Sequence, residues 1–488
     1  MNGRPLVIAL GCTTLAMVGC RKDDVSGRPL YPNANVLIVT LDTVRADRLG
    51  VYGHDRDTTP NLDALARESV RFDRAFAQSS FTPPSHAALL TSRYVSSHGL
   101  RWWNYRLPDE VETVAETFSG RGYRTASFSP LAMGSVNGLD QGFERVVEMK
   151  NEGEFRTRVD DNPKNDYLIA PASAINERVF PWLAEDDRRP FLGWVHYYDA
   201  HRPFAVFTAD RPYCNPPDGR FGDGQADYRL TPKVRKERKI GPRHVAYLKD
   251  RYDSGLKALD AEVGRLIATL RESGALDDTI LVITADHGEA FDEFDEEWFS
   301  HDPFLYDVVT RVPLFIRLPD GRFGGEVVDS IVELVDVVPT LLDYTGVESP
   351  FGLQGASLRP AIEDGRPVKS FAVAERQGRD RDGSDELPAD QVGRRRSLRL
   401  DDRRLMIDVA SQSLRLYERG ESRPEQPEQP EQEDVWDPTR TDASALLELH
   451  RQTKQRLAAL EPETDPAELT EERRRELEAL GYLSGGSP

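Results

Sequence analysis

Thr279-Ile280-Leu281-Val282-Ile283-Thr284-Ala285-Asp286-His287-Gly288-Glu289 reads as a buried strand that stops at a knot of polar residues. An unbroken run of apolar and β-branched residues fits a strand covered on both faces, as in a parallel sheet. Two other runs share the design. Asn35–Leu41 leads into Asp42, and Pro190–Tyr198 leads into Asp199-Ala200-His201. In open α/β sheets ligands bind beyond the carboxyl ends of the strands. Three strands therefore bring Asp42, Asp199, His201, Asp286 and His287 to one edge. Carboxylates and imidazoles in such a set suit a hard or borderline divalent cation.

The rest of the chain supports an α/β fold with a large, mostly parallel central sheet flanked by helices. Further strands are expected at Thr125–Ser129 and Pro313–Arg317. Helices are expected at Pro60–Glu68, Ser85–Thr91, Glu110–Arg121, Val245–Glu272 and Leu334–Tyr344, the last stopped by Gly346. Ser397–Asp408 and Ser413–Tyr417 read as a small C-terminal sheet, and Ala443–Ala459 and Glu471–Leu480 as closing helices. Residues 205–240 and 376–396 read as loops, and Pro424–Gln432 as an exposed low-complexity repeat. The expected organisation is a signal at 1–20, a tether at 21–34, a catalytic domain at 35–365 and a C-terminal subdomain at 366–488.

Composition narrows the function. A net charge of −20 and a pI near 5.0 argue against a nucleic-acid partner, which needs a basic face. The N-terminus has the form of an export signal. Arg4 precedes an apolar run, Pro5–Gly19, that is too short to span a bilayer. Met17-Val18-Gly19-Cys20 then resembles a bacterial lipoprotein box, so lipidation is expected at Cys20 and location in the cell envelope, periplasmic or outer-membrane. The membrane partner is then a lipid anchor. Cys12 lies inside the signal, which leaves Cys214 alone and no intrachain disulfide to expect.

Phe81-Thr82-Pro83-Pro84-Ser85-His86 carries the second informative motif. Its surroundings resemble the sulfatase family of the alkaline phosphatase superfamily, which writes this element as C-x-P-S-R and oxidises the Cys or Ser to formylglycine. Thr284-Ala285-Asp286-His287-Gly288 resembles the same family's later T-D-H-G element, and Gly138–Val146 and the tail EALGYLSG also look like sulfatase text. Here Thr82 stands at the nucleophile position and His86 where the arginine would be. In that respect the stretch is similar to nucleotide pyrophosphatase/phosphodiesterases, which use a threonine. A threonine cannot become formylglycine. The family's second N-terminal Asp is replaced by Thr43, and its Lys and His near 127–131 are missing.

The resemblance implies an alkaline-phosphatase-like sandwich and a metal-dependent ester hydrolase. It assigns Asp42, Thr82, Asp286 and His287 to one metal site. It gives Ser85 and Asn104 to substrate, Asn104 standing one position out of step, and His86 to the nucleophile loop. His201 or His301 would assist the leaving group. With Asp199 these two histidines could instead hold a second ion; one ion is the first reading, two the second, and Zn, Mn, Mg and Ca all suit the ligands. His196 reads as a core or supporting residue. Backbone donors at the start of the helix after Thr82 are expected to face the anion. Thr82 favours phosphoester hydrolysis, diester or monoester, through a phosphothreonine. Sulfuric ester hydrolysis and transfer of a phospho group to an exported glycan or lipid are the alternatives. The partner is a small-molecule, glycan or lipid ester.

Overall fold

The computed structural model describes residues 29–149, 157–158, 166–167, 169–202, 204, 212–214, 241–291, 301, 305–348, 352–376, 395–400, 403–408, 414–418, 448, 451 and 455. Its strands are β1 (Asn35–Leu41), β2 (Val70–Phe76), β3 (Arg124–Ser129), β4 (Arg145–Glu148), β5 (Thr157–Arg158), β6 (Asp166–Tyr167), β7 (Phe191–Tyr197), β8 (Thr279–Ala285), β9 (Arg311–Val312), β10 (Leu314–Arg317), β11 (Val327–Glu333), β12 (Ala372–Arg376), β13 (Arg395–Arg399), β14 (Arg403–Asp408) and β15 (Leu414–Glu418).

The central sheet runs β11-β2-β10-β8-β1-β7-β3-β4, with β9 beside β2. Only β9 and β10 oppose their neighbours. The expected mostly parallel sheet is therefore present. Its middle strands, β7 and β8, are buried along their whole length, and β1 along all but its first residue. This matches their continuous apolar runs. Register then sets the site. Leu41 pairs with Tyr197 on one side and with Ala285 on the other. The residues that follow, Asp42 and Asp286, leave the sheet at the same level.

Helices cover the sheet. In Pro242–Glu272 the residues Val245, Leu248, Tyr252, Leu256, Leu259, Val263, Leu266 and Leu270 recur at three- and four-residue spacing and are buried. The helix Thr82–Thr91 is buried all round, with Ser92 in the left-handed region at its end. Among the described residues no helix is long and apolar enough to cross a membrane.

Several boundaries moved for identifiable reasons. The helix expected from Glu110 begins at Val114. Thr113 and Glu116 form a reciprocal capping box there, each side chain accepting from the other's backbone N–H. The run Ser397–Asp408 is two strands, β13 and β14, of an antiparallel four-stranded sheet that also takes in β12 and β15. This sheet is tied to the body at Glu333, which accepts from Val373 N at 2.7 Å, Tyr94 Oη at 2.7 Å and Lys369 Nζ at 2.5 Å. Cys20 and the signal, most of 205–240, Pro424–Gln432 and the closing helices lie outside the described residues, apart from isolated positions.

Candidate active site

Asp42, Asp286 and His287 meet at the carboxyl ends of β1 and β8. All three are buried, and one ligand atom from each lies within 4.8 Å of the others. Local hydrogen bonds orient them. Asp286 Oδ1 accepts from Thr43 N at 3.1 Å and from His287 N at 2.9 Å, which leaves Oδ2 without a partner. Asp42 Oδ1 is also buried and without a partner. His287 Nδ1 lies 3.0 Å from the Gly288 carbonyl. A carbonyl only accepts, so Nδ1 carries the proton and Nε2 presents a lone pair. That Nε2 stands 3.3 Å from Asp286 Oδ2 and 3.3 Å from Thr82 Oγ1.

Lone pairs without protons thus converge in a buried space. Burial and then the neighbouring Asp286 charge hold the Asp42 carboxyl well above its usual range. For Asp286, burial acts in the same direction but is outweighed, chiefly by the facing His287, and its carboxyl sits below the usual range. Such a pair is costly without a cation between its members. The donor set, two carboxylates and an imidazole, fits one divalent ion.

Two features of the backbone hold the cluster in place. Thr43 is β-branched yet adopts φ 57°, a conformation such residues rarely take. It is held by its N–H on Asp286 and by Tyr252 Oη, which donates to its carbonyl at 2.9 Å. Thr43 Oγ1 is buried and makes no hydrogen bond. Gly288 packs against the segment before β9: a Cβ there would lie 2.1 Å from the Val308 carbonyl oxygen.

Thr82 opens its helix. Ser85 Oγ donates to the Asp286 carbonyl at 2.5 Å, pinning the first turn to the end of β8. Ser85 is therefore a fastener, where the sequence suggested a substrate contact. His86 is held within the nucleophile loop. Its Nδ1 faces the Thr82 carbonyl at 2.9 Å and its Nε2 faces Thr40 Oγ1 at 3.1 Å. Burial first, then the nearby His196, pulls its pKa down to about 3, so it is neutral. The expected backbone donors are also fewer: Pro83 and Pro84 have no N–H, and Ser85 N is spent on the Phe81 carbonyl.

His201 and His301 are both buried and flank the cluster. The His301 ring lies 4.5 Å from that of His287 and 5.4 Å from that of His201. His201 Nδ1 meets the Arg202 carbonyl at 2.5 Å, and its Nε2 has no hydrogen-bond partner. Burial, then His301, keeps His201 well below its usual pKa. His301 Nδ1 lies 3.4 Å from Glu289 Oε2. Asp199 is not with them. Its Oδ2 accepts from Ala172 N at 2.8 Å, and it lines a separate cavity of about 430 Å³ with Lys257, Asp260 and Glu262. Among the described residues, Asp199, His201 and His301 form no group close enough to share an ion. Burial lifts Asp199 to about 7.

Asn104 is partly exposed, one residue past Trp103. That loop borders the nucleophile, because Trp102 stacks on Phe81 at 3.7 Å between ring centroids. Sequence reasoning missed Glu289, Thr40 and the placement of His196. Glu289 stands in the same T-A-D-H-G-E text as the ligands, and that adjacency was the available signal.

The fold is that of the alkaline phosphatase superfamily. In its solved members, the phosphonate monoester hydrolase of Agrobacterium radiobacter superposes with a TM-score of 0.68 at 21% identity, covering 90% of this chain and 99% of that one. Residues 34–347 match the Sulfatase family, and the chain belongs to that family of hydrolases. An N-acetylglucosamine-6-O-sulfatase of Bacteroides thetaiotaomicron is 25% identical over 439 residues, spanning 75% of this chain and 76% of its own. An arylsulfatase of Clostridium perfringens is 27% identical over 387 residues, spanning 68% and 78%.

Proposed function

We propose that this protein is a metal-dependent phosphoester hydrolase that works through a phosphothreonine at Thr82. The observation that carries the reading is the hydroxyl of Thr82, 3.3 Å from the lone pair of His287 Nε2 and beside two buried carboxylates. Asp42, Asp286, His287 and the Thr82 hydroxyl would hold one divalent ion. When bound, such an ion lowers the pKa of a coordinated hydroxyl and neutralises a non-bridging oxygen of the substrate.

With its proton passed to solvent, Thr82 Oγ attacks phosphorus, the ester P–O bond breaks, and the leaving alkoxide takes a proton from His301, which recovers one from the water of the second step; His201, with its ring proton on Nδ1, has none to give at Nε2. Glu289 holds His301 from its Nδ1 side. Water then attacks the phosphothreonine, releasing the phosphorus product and regenerating the hydroxyl. Ser85 and His86 keep the Thr82 main chain fixed throughout. Neither requires the side chain of residue 82 for its own hydrogen bond.

The natural substrate is a small-molecule, glycan or lipid ester met in the cell envelope, with the chain anchored through Cys20. Support for the phosphoester comes from Thr82 itself and from a fold neighbour named a phosphonate monoester hydrolase. A second reading, sulfuric ester hydrolysis, is favoured by the two relatives described above, which are named sulfatases. Turnover of paired nitrophenyl esters decides: sulfate, phosphate monoester, phosphate diester and phosphonate, with the ion-loaded protein beside Thr82→Ala. Phosphoester turnover lost in Thr82→Ala supports the proposal. Dominant sulfate turnover overturns it.

A further inference from the structure

Behind the ligand cluster, four fully buried side chains form one hydrogen-bonded line from the nucleophile's backbone to a ligand carboxylate. His86 Nδ1 meets the Thr82 carbonyl at 2.9 Å, and His86 Nε2 meets Thr40 Oγ1 at 3.1 Å. Thr40 Oγ1 meets His196 Nδ1 at 2.9 Å. His196 Nε2 meets Asp42 Oδ2 at 3.2 Å. Trp194 Nε1 adds a donor to Thr40 Oγ1 at 3.1 Å. His86, Thr40, His196 and Asp42 are all 0% exposed.

The donors and acceptors on this line follow from one another. The Thr82 carbonyl only accepts, so His86 Nδ1 carries the proton. A neutral His86 then accepts at Nε2, and the single hydroxyl proton of Thr40 goes there. Trp194 can only donate, and it takes one lone pair of Thr40. The other lone pair takes the proton of His196 Nδ1. His196 Nε2 and Asp42 Oδ2 close the line with one shared proton. Each group has one role, so the line does not slip to another pattern without stranding a buried polar atom. The strands explain the spacing. Thr40 on β1 and His196 on β7 are register partners, and Asp42 is two residues past Thr40 on the same face.

We propose that His196 is a positioning residue: through Thr40 and His86 it couples the orientation of Asp42 to that of the Thr82 main chain. The metal site and the nucleophile would then be set by one buried element, although they arise from different parts of the chain. Groups that orient metal ligands typically change affinity or activity by 10–100-fold when removed, which sets the scale expected here.

The proposal rests on the metal-site reading, and the test separates the two. Zn²⁺, Mn²⁺, Mg²⁺ and Ca²⁺ dissociation constants would be measured by chelator competition for the full-length protein and for His196→Ala, His196→Gln and Thr40→Val. Metal-free melting temperatures and kcat and KM would be recorded beside them. Glutamine keeps a donor toward Asp42, and valine removes the middle of the line with little change in volume. The expected result is binding weakened about 10–100-fold in His196→Ala and restored to within a few-fold in His196→Gln. Thr40→Val should lower kcat with KM nearly unchanged. Should His196→Ala not fold, His196→Asn makes the same comparison, because it keeps a partner for Thr40 and loses the one for Asp42. Binding in His196→Ala within about twofold of the wild type overturns the proposal. So does an equal loss in the alanine and glutamine variants that tracks melting temperature, since packing alone would produce it. A wild-type protein that binds none of Zn²⁺, Mn²⁺, Mg²⁺ and Ca²⁺ overturns the metal-site reading itself.

Discussion

Thr82 Oγ1 lies 3.3 Å from His287 Nε2, the ring atom that the Gly288 carbonyl leaves without a proton. The hydroxyl therefore faces a base-like lone pair at the edge of the cluster. Thr82→Ala should lose at least ~10³-fold in kcat, while Thr82→Ser retains measurable turnover. Intact-mass analysis of a rapidly quenched reaction should find a phosphoryl group on the wild type and none on Thr82→Ala. An unmodified wild type that still turns over would remove the covalent step.

The cluster of Asp42, Asp286 and His287 exists only in the folded chain, so an ion held there should stabilise the native state by mass action. At a free concentration 100 times the dissociation constant the gain is about 2.7 kcal/mol. Chelation should lower the melting temperature, and adding back the preferred ion should restore it. The size of the shift ranks Zn, Mn, Mg and Ca. A melting temperature indifferent to all four would mean the convergent lone pairs serve some other partner.

Asp199 supplies a pH prediction of definite sign. Burial raises its folded pKa to about 7, against roughly 4 in the unfolded chain. The native state therefore holds the extra proton. Its contribution to stability is complete below about pH 4 and is lost as pH rises through 7. Buried neutral histidines pull the other way, His86 at about 3 and His196 at about 4. Asp199→Asn against wild type cancels them. The variant's melting temperature, relative to wild type, should rise steadily between pH 4 and pH 7. Parallel curves would show that Asp199 titrates normally.

Gly288 has no room for a side chain, with 2.1 Å to the Val308 oxygen. Gly288→Ala should cost about 1–3 kcal/mol in denaturant unfolding and displace His287. Ion affinity should fall with it. A variant of full stability and full affinity would mean that the 305–310 segment yields freely.

Much of this was legible in the sequence because it lies in strand ends. The apolar runs before Asp42 and Asp286 fix both the strands and the edge to which the carboxylates come. The class of the central sheet followed from the same runs. β2 was harder to see, because Arg74 breaks the alternation that Val70, Arg71, Phe72 and Asp73 begin. The errors at the site have one physical cause. Position along the chain says which side chains come near each other, but not where each one points. Asp199 follows a strand of the right edge, yet the Ala172 amide draws its carboxylate elsewhere. Ser85, expected also at the substrate, donates to the Asp286 carbonyl, while His86 sits with the nucleophile loop as expected, on the Thr82 carbonyl and Thr40. His196 read as a core or supporting residue, and its particular link to Asp42 depends on a register that no local pattern encodes.

The pin between Ser85 Oγ and the Asp286 carbonyl has a wider meaning. Together with the contact of His86 on the Thr82 carbonyl, it secures the first turn of the helix through main-chain atoms and neighbouring residues. The side chain at 82 is not one of the fasteners. Position 82 is thus a socket: different reactive groups can be seated there while the mount stays unchanged. Replacing the side chain at 82 leaves both of these hydrogen bonds in place.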